Sequence, residues 1–297
     1  MSVAIVGAGP AGMIAATLLA DRGGKVTLID EQSAFGGHLT HDRYTVGMDG
    51  HDSDSWLAEM RSALDSASVT SLPLAIAWAA FRNGDGFALG VNHAGAEKTV
   101  VTDHLVIAAG TTDLPLIAPG ATLPGVLTGR AIRILVNRHG VIPGQRIVVV
   151  GVGPKADRLR DDLIAVGCDV VAQLAVAEVA AITGNGGVQE VQTADGRTLD
   201  ADLIGIAVGE VPDVQLAGMV EAPRVFDPNL NGWRLASEGV PAGLHVIGGS
   251  LLGQATPEEI VQSAVAVADR IRPGGENLRD VGLDISDAIL RQEAVQR

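Results

Sequence analysis

The feature that most constrains this chain is a repeat. Residues 3–30 read VAIVGAGPAGMIAATLLADRGGKVTLID, and residues 147–174 read IVVVGVGPKADRLRDDLIAVGCDVVAQL. At one constant offset, Gly7, Gly9, Gly12 and Gly23 fall on Gly151, Gly153, Ala156 and Gly167. Each copy starts as an apolar run, turns on glycine, continues as a helix and returns as a second apolar run. A strand–turn–helix–strand unit of this length calls for a parallel sheet covered by helices. Two of them predict an α/β chain built of two Rossmann-like three-layer dinucleotide-binding domains, the second inserted in the first. The expected first domain spans 1–115 plus 233–297, and the expected second spans 116–232. The Pro- and Gly-rich stretch 111–125 marks the first crossing.

The first turn, Gly7-Ala8-Gly9-Pro10-Ala11-Gly12, has the residue types a pyrophosphate site needs. The first glycine makes the turn, the second lets backbone approach the phosphates, and the third lets helix and strand pack closely. The helix start then offers free N–H groups and the positive end of its dipole. The returning strand ends in Asp30 followed by Glu31, a carboxylate placed to accept from a ribose diol and to disfavour a 2′-phosphate. The second turn keeps its glycines but not the rest. Leu174 stands where Asp30 stands in the first copy, and Lys155, Asp157, Arg158, Arg160, Asp161 and Asp162 crowd the helix. The second copy therefore reads as a structural shell, with Lys155 the one residue placed to meet a phosphate.

Between and after the repeats, the spacing of Trp56, Leu57, Met60 and Leu64 predicts a helix over 55–67, and 69–93 reads as short strands with a turn at Asn83-Gly84. A buried strand over 103–110, a helix over 129–140 closed by Gly140, and a hairpin over 188–209 turning at Asp195-Gly196 follow. A strand over 243–250 and a helix over 256–271 complete the reading. Trp56 and Trp78 read as core.

Composition narrows the function. A net charge of −14 argues against nucleic acid or an anionic membrane as partner. The single cysteine, Cys168, leaves no intramolecular disulfide, CxxC pair or cysteine-held iron–sulfur or zinc site. No stretch is long and apolar enough to span a bilayer, and the apolar N-terminus lacks a basic residue ahead of it. The expectation is a soluble cytoplasmic protein. His38, His41 and His51 lie among Asp42, Asp49, Asp52 and Asp54, but their spacing does not specify a metal site, and a solvated acidic loop is the expected reading. Tyr44, the one tyrosine, follows the FGGHLT loop, where contact with a cofactor or substrate and ordinary packing are both open readings.

The order GAGPAG, FGGHLT (35–40), LVIAAGTTDLPLIAPG (105–120), LPGVLTGRAIRILVNRHGVIPGQRIVVVGVG (123–153) and GLHVIGG resembles the two-domain flavoproteins of thioredoxin-reductase type. It is most similar to the branch that contains the sarcosine oxidase α chain, the opine oxidase chain of the same type and the hydrogen cyanide synthase B chain. That resemblance implies an FAD site, with NAD the alternative, formed by Gly7, Gly9, Pro10, Ala11, Gly12, Asp30 and Glu31. It further implies that Gly36, Gly37 and His38 run beside the cofactor, that Ala77 lies on the strand meeting the adenine, and that Gly110 returns the chain toward the second domain. The implied activity is redox chemistry on amines or amino acids as one subunit of a complex, with a catalytic partner subunit. A non-catalytic subunit holding NAD or ADP is the alternative, and an independent NADH-dependent flavin reductase a weaker third. Where relatives carry Gly-Asp after the late strand, this chain has Gly248-Gly249-Ser250, and Glu258 and Glu259 open the next helix.

Overall fold

The computed structural model describes residues 1–41, 45–46, 51–253 and 255–273. Along the chain the parallel strands are β1 (Ser2–Val6), β2 (Lys25–Ile29), β3 (Val69–Leu72), β4 (His104–Ile107), β5 (Val126–Thr128), β6 (Arg146–Val150), β7 (Asp169–Leu174), β8 (Leu203–Ile206) and β9 (Leu244–Val246). The longer helices are α1 (Pro10–Asp21), α2 (Ser53–Ser66), α3 (Pro154–Ala165) and α4 (Pro257–Ile271). Contacts divide the chain into two units, Met1–Thr111 with the described residues from Val211 onward, and Thr112–Glu210. The segment from Val211 to Gly232, expected in the second domain, thus groups with the first.

In the first unit the sheet order is β9-β4-β1-β2-β3. Val6 lies opposite both Ile29 and Ile107, so neighbouring strands end on one edge. Side chains of β1 alternate between two cores, as strand geometry requires. Val3 and Ile5 join α1, α2 and α4 on one face, while Ala4 and Val6 join Phe87, Leu89, Leu216 and Leu244 on the other. The second face is covered by an antiparallel sheet of Ala75–Asn83, Gly86–His93 and Ala96–Thr102. α2 is started by Asp52, whose carboxylate accepts from Ser55 N at 2.7 Å, and it buries Trp56, Leu57, Met60 and Leu64. Burying a side chain the size of Met60 is worth about 1.5–3 kcal/mol.

The second unit repeats the plan in four strands, β5-β8-β6-β7. Ile147 and Val149 of β6 face one core with Leu159 and Leu163 of α3, and Val148 and Val150 face the other. A three-stranded antiparallel sheet, Val179–Thr183, Glu190–Thr193 and Thr198–Asp200, follows β7.

Three expectations need correction. Trp78 is 53% exposed: a bulge between Ala77 and Ala79 turns it outward over Gly90, with its indole N–H donating to Glu97 at 2.8 Å. The helix expected over 129–140 is α-helical only over Gly129–Arg133 and widens into a π-helical turn over Ile134–Arg138. The late strand ends at Val246, because Gly248 takes a positive φ of 60° and starts a short helix, Gly249–Leu252.

Candidate dinucleotide site

The carboxyl ends of β1, β2, β4 and β9 meet where the chain's progress across the first sheet reverses, between β1 and β4. Parallel sheets open a ligand crevice at such a point. Gly7 N donates to Ile29 O at 2.8 Å, and Ala108 N donates to Val6 O at 2.8 Å, so the turn is pinned from both sides. A Cβ on Gly7 would run into the Ala108 carbonyl oxygen, and one on Gly12 into the Gly7 carbonyl oxygen. Those two glycines are demanded by packing alone. Gly9 is different: a Cβ there would find only Gly37 Cα, at 3.8 Å. The fold leaves room at Gly9, and the room faces the start of α1.

That helix start has no cap. Its N-cap is Gly9, with no side-chain bond, Pro10 occupies the first position, and no acidic residue lies in the first turn. Pro10, Ala11 and Gly12 are all buried. The first N–H groups of any helix lack intrahelical acceptors, and a buried start without a cap needs a partner from elsewhere. The positive dipole end makes an anion the natural partner. The adenine-dinucleotide half of the group implied by the sequence therefore fits these residues.

Asp30 closes the turn from behind. Its Oδ2 accepts from Ala8 N at 2.6 Å and its Oδ1 from Gln32 N at 2.7 Å. Each oxygen keeps a second lone pair for a ribose hydroxyl. Glu31 follows, exposed. Gly36 N donates to Ala8 O at 2.8 Å, and a Cβ on Gly37 would lie 2.8 Å from Gly9 Cα, so the second loop rests directly on the first. His38 is half-buried in the 3-10 turn Gly37–Thr40. Ala75 N donates to Asp30 O at 2.8 Å, which starts the Ala75–Asn83 strand against the site; Ala77 lies two residues further along it, half-buried. Tyr44, Asp42 and Asp49 lie outside the described residues. Among the described residues no cluster of metal-ligand side chains is present.

Gly110 and Gly249 form a second contact on this edge. A Cβ on Gly249 would lie 3.0 Å from Thr111 Cγ2 and 3.3 Å from Gly110. The fully buried Ser250 donates through Oγ to Gly110 O at 3.2 Å. An aspartate side chain at 249 would have to displace these groups. Sequence reasoning missed Gly248, whose added Cβ would lie 2.8 Å from Ala11 Cβ and whose N–H donates to Ser263 Oγ at 3.0 Å. Its signal was the glycine doublet after an apolar strand. At α4, Glu259 is turned back on its own helix start: its carboxylate accepts from Thr256 N at 2.8 Å while its N–H donates to Thr256 Oγ1 at 3.2 Å.

The second turn is built similarly, and a Cβ on Gly153 would meet nothing within 4 Å; it differs in that its helix start is exposed at Val152 and Pro154 and ringed by charged side chains. Gly151 N donates to Leu174 O at 2.8 Å, and α3 also starts at an uncapped glycine followed by proline. Asp157 places a carboxylate in the first turn, held by Gln173 Nε2 at 3.0 Å and Arg160 at 3.3 Å. Gln173 also accepts from Arg160 at 3.0 Å. Lys155 Nζ lies 2.5 Å from Glu210 Oε2, and Glu210 also approaches Arg130 at 3.7 Å. Leu174 is buried in the core. The cation that could meet a phosphate is thus already paired with a carboxylate of its own chain.

Residues 1–172 match the sequence profile of the pyridine nucleotide-disulphide oxidoreductase family. The chain belongs to that family. It is 31% identical over 173 residues to an opine oxidase subunit of Agrobacterium tumefaciens (strain Ach5), a match covering 55% of this chain and 34% of that protein. It is 30% identical over 182 residues to the alpha subunit of sarcosine oxidase of Rhizobium meliloti (strain 1021), covering 57% of this chain and 18% of that one. The chain spans about a third or less of the length of these curated relatives. The fold matches that of L-proline dehydrogenase from P. horikoshii with a TM-score of 0.81 at 22% identity, over 99% of this chain and 58% of the other. Family and turn together indicate FAD as the dinucleotide, with NAD also compatible. No helix among the described residues is long and apolar enough to cross a membrane.

Proposed function

We propose that this chain is an FAD-dependent oxidoreductase subunit of an amine- or opine-type dehydrogenase or oxidase, working beside a catalytic partner subunit. The observation that carries the reading is the buried, uncapped start of α1, fronted by Gly9 and Gly37 and backed by Asp30. The names of the relatives point the same way, toward subunits of opine and sarcosine oxidases. In this reading the Gly7–Gly12 backbone holds the pyrophosphate. Asp30 and Glu31 hold the ribose, Gly37 and His38 flank it, and Ala77 lies toward the adenine. Gly110 and Gly249 border the other end. A bound flavin would supply two-electron acceptance; the chain supplies binding, orientation and electrostatics. Its first unit is the dinucleotide domain, and its second is a domain of the same plan whose Lys155 and Asp157 are engaged by side chains of their own unit. The substrate class is a small amine or amino acid, and the acidic chain argues against nucleic acid and membrane partners.

The proposal does not include disulfide reduction. A dithiol mechanism needs two cysteines, and Cys168 is the chain's single one. It is buried, donates weakly to Gly144 O at 3.7 Å, and burial pushes its thiol pKa up. Such a thiol is a poor nucleophile.

A second reading rests on the late strand. Gly249 is hemmed by Thr111, and Ser250 is spent on Gly110. These residues offer less to a flavin than the first turn offers to an adenine dinucleotide. They favour a non-catalytic subunit that holds NAD or ADP for a separate catalytic chain. The visible spectrum of the purified chain, with the released cofactor identified, separates the two. A flavin band bleached anaerobically by an N-alkyl amino acid supports the first reading; a colourless chain releasing NAD or ADP replaces it with the second.

A further inference from the structure

Away from the crevice, the first unit carries a hollow of about 530 Å³ lined by Gly218, Glu221, Ala222, Arg224 and Trp233. Two elements make it. One is the short helix Gln215–Met219, anchored by the buried Leu216 and Ala217. The other is the hairpin Arg224–Asp227 with Gly232–Leu235. Pairing Phe226 with Trp233 puts both rings on one face of the hairpin, edge to face at 5.8 Å, and Arg224 lies on that face two residues before Phe226. Trp233 remains 55% exposed although its ring is braced.

Arg224 is exposed, and its guanidinium lies over Gly218. It lies so close to Gly218 that a Cβ there would come within 2.8 Å of Arg224 Cζ and 2.9 Å of Nη1. Glu221 is held at the rim with φ of 61°, a left-handed conformation that costs a non-glycine residue about 1 kcal/mol or more. Among the described residues, no ion pair or side-chain hydrogen bond engages Arg224 or Glu221, and the two are not paired with each other. Arg234, on the next strand, is by contrast tied to Asp227 at 2.9 Å. One hollow thus presents an exposed cation, a separate exposed anion and an exposed indole.

We propose that this hollow binds a small zwitterion, a free α-amino acid with an apolar side chain. Its carboxylate meets Arg224, its ammonium faces Glu221, and its side chain lies on Trp233. A simple anion would gain Arg224 but meet Glu221 and a chain of net charge −14. A simple cation would face the guanidinium. Only a molecule bearing both charges satisfies both groups. The site is independent of the dinucleotide crevice and of the reading given for it.

The test is calorimetric titration of the full chain with L-leucine, and separately with isovalerate and isoamylamine, which keep the side chain and one charge each. Saturable binding of L-leucine with Kd below about 1 mM is expected, and at least tenfold weaker binding of the two single-charge probes. Arg224→Gln weakens L-leucine binding at least tenfold, and Glu221→Gln narrows the gap between leucine and isovalerate. Gly218→Ala is the control for folding. It replaces a helical glycine by a better helix former, so thermal stability holds or rises while leucine binding falls, because the guanidinium is displaced. No saturable heat with L-leucine overturns the proposal. So does isovalerate binding as well as leucine, or leucine binding unchanged in both Arg224→Gln and Gly218→Ala.

Discussion

The two glycine turns of this chain share a backbone plan and differ in the burial and charge of the helix start. Both helix starts are uncapped and both leave room at the second glycine, but the first is buried and carries no acid in its first turn. In the second, Asp157 sits in the first turn under a Gln173–Arg160 clamp, and Lys155 is paired with Glu210. Glycines alone therefore mark the fold of a dinucleotide domain; what separates the two turns is the burial and the charge of the helix start. The contrast also extends to the returning strand. Asp30 is tied to the turn by Ala8 N, whereas Leu174 has turned inward to the core.

Substitutions at matched positions break or sharpen this contrast. The largest effect is expected at Gly12, where any side chain meets the Gly7 carbonyl. Gly12→Val should cost about 3 kcal/mol or more and leave little folded chain. The matching Ala156 already carries a Cβ in a closed core. Its replacement by Gly should cost only about 1 kcal/mol, read by thermal melting. Next comes Asp30→Asn. An amide presents one oxygen where the carboxylate serves two backbone donors, so one of Ala8 N and Gln32 N goes unsatisfied. A loss of about 1–3 kcal/mol in stability, with weaker dinucleotide retention, is expected. Gly9→Ala separates binding from folding. The methyl makes an ordinary contact with Gly37 but occupies the phosphate approach. Dinucleotide affinity should fall at least about tenfold while the melting temperature of the stripped chain stays put.

Smaller effects test the second turn and the protein's acid sensitivity. Glu210→Gln should leave dinucleotide content unchanged and cost no more than about 1 kcal/mol, because the Lys155 partner is 38% exposed. His245 sits against His104, with Nε2 3.3 Å from His104 Nδ1 and Arg270 nearby. Burial first, then these cations, pull its pKa down to about 4 from the ordinary 6.5. The fold therefore holds this imidazole neutral, while the unfolded chain takes a proton below about pH 6.5. Stability should fall as pH drops from about 6.5 toward 4, and His245→Gln should flatten that part of the profile. A profile unchanged by the substitution assigns the acid sensitivity to other groups.

Much of this was legible in the sequence because it rests on local pattern. The repeat fixed both parallel sheets, since alternating apolar strands beside glycine turns have few other ways to bury their faces. The first turn's residues come together around the crevice for the same reason. What could not be read were effects of one residue on a distant one. Trp78 looks like core by type, yet one bulge turns it out over Gly90. Lys155 looks like a phosphate ligand, yet Glu210, far along the chain, already pairs with it. Gly248 reads as strand, and only its approach to Ala11 shows why the strand must stop. Each is settled by a long-range contact that neither periodicity nor propensity encodes.

We propose that the first turn holds the dinucleotide and that the second, with its exposed start and paired Lys155, does not. The most direct test is the amount of dinucleotide released per chain, measured by chromatography and mass spectrometry on native protein and on the Gly9→Ala and Gly153→Ala variants. The account predicts one dinucleotide per chain, lost from Gly9→Ala and kept by Gly153→Ala. Two per chain, or loss from Gly153→Ala with retention by Gly9→Ala, would contradict it.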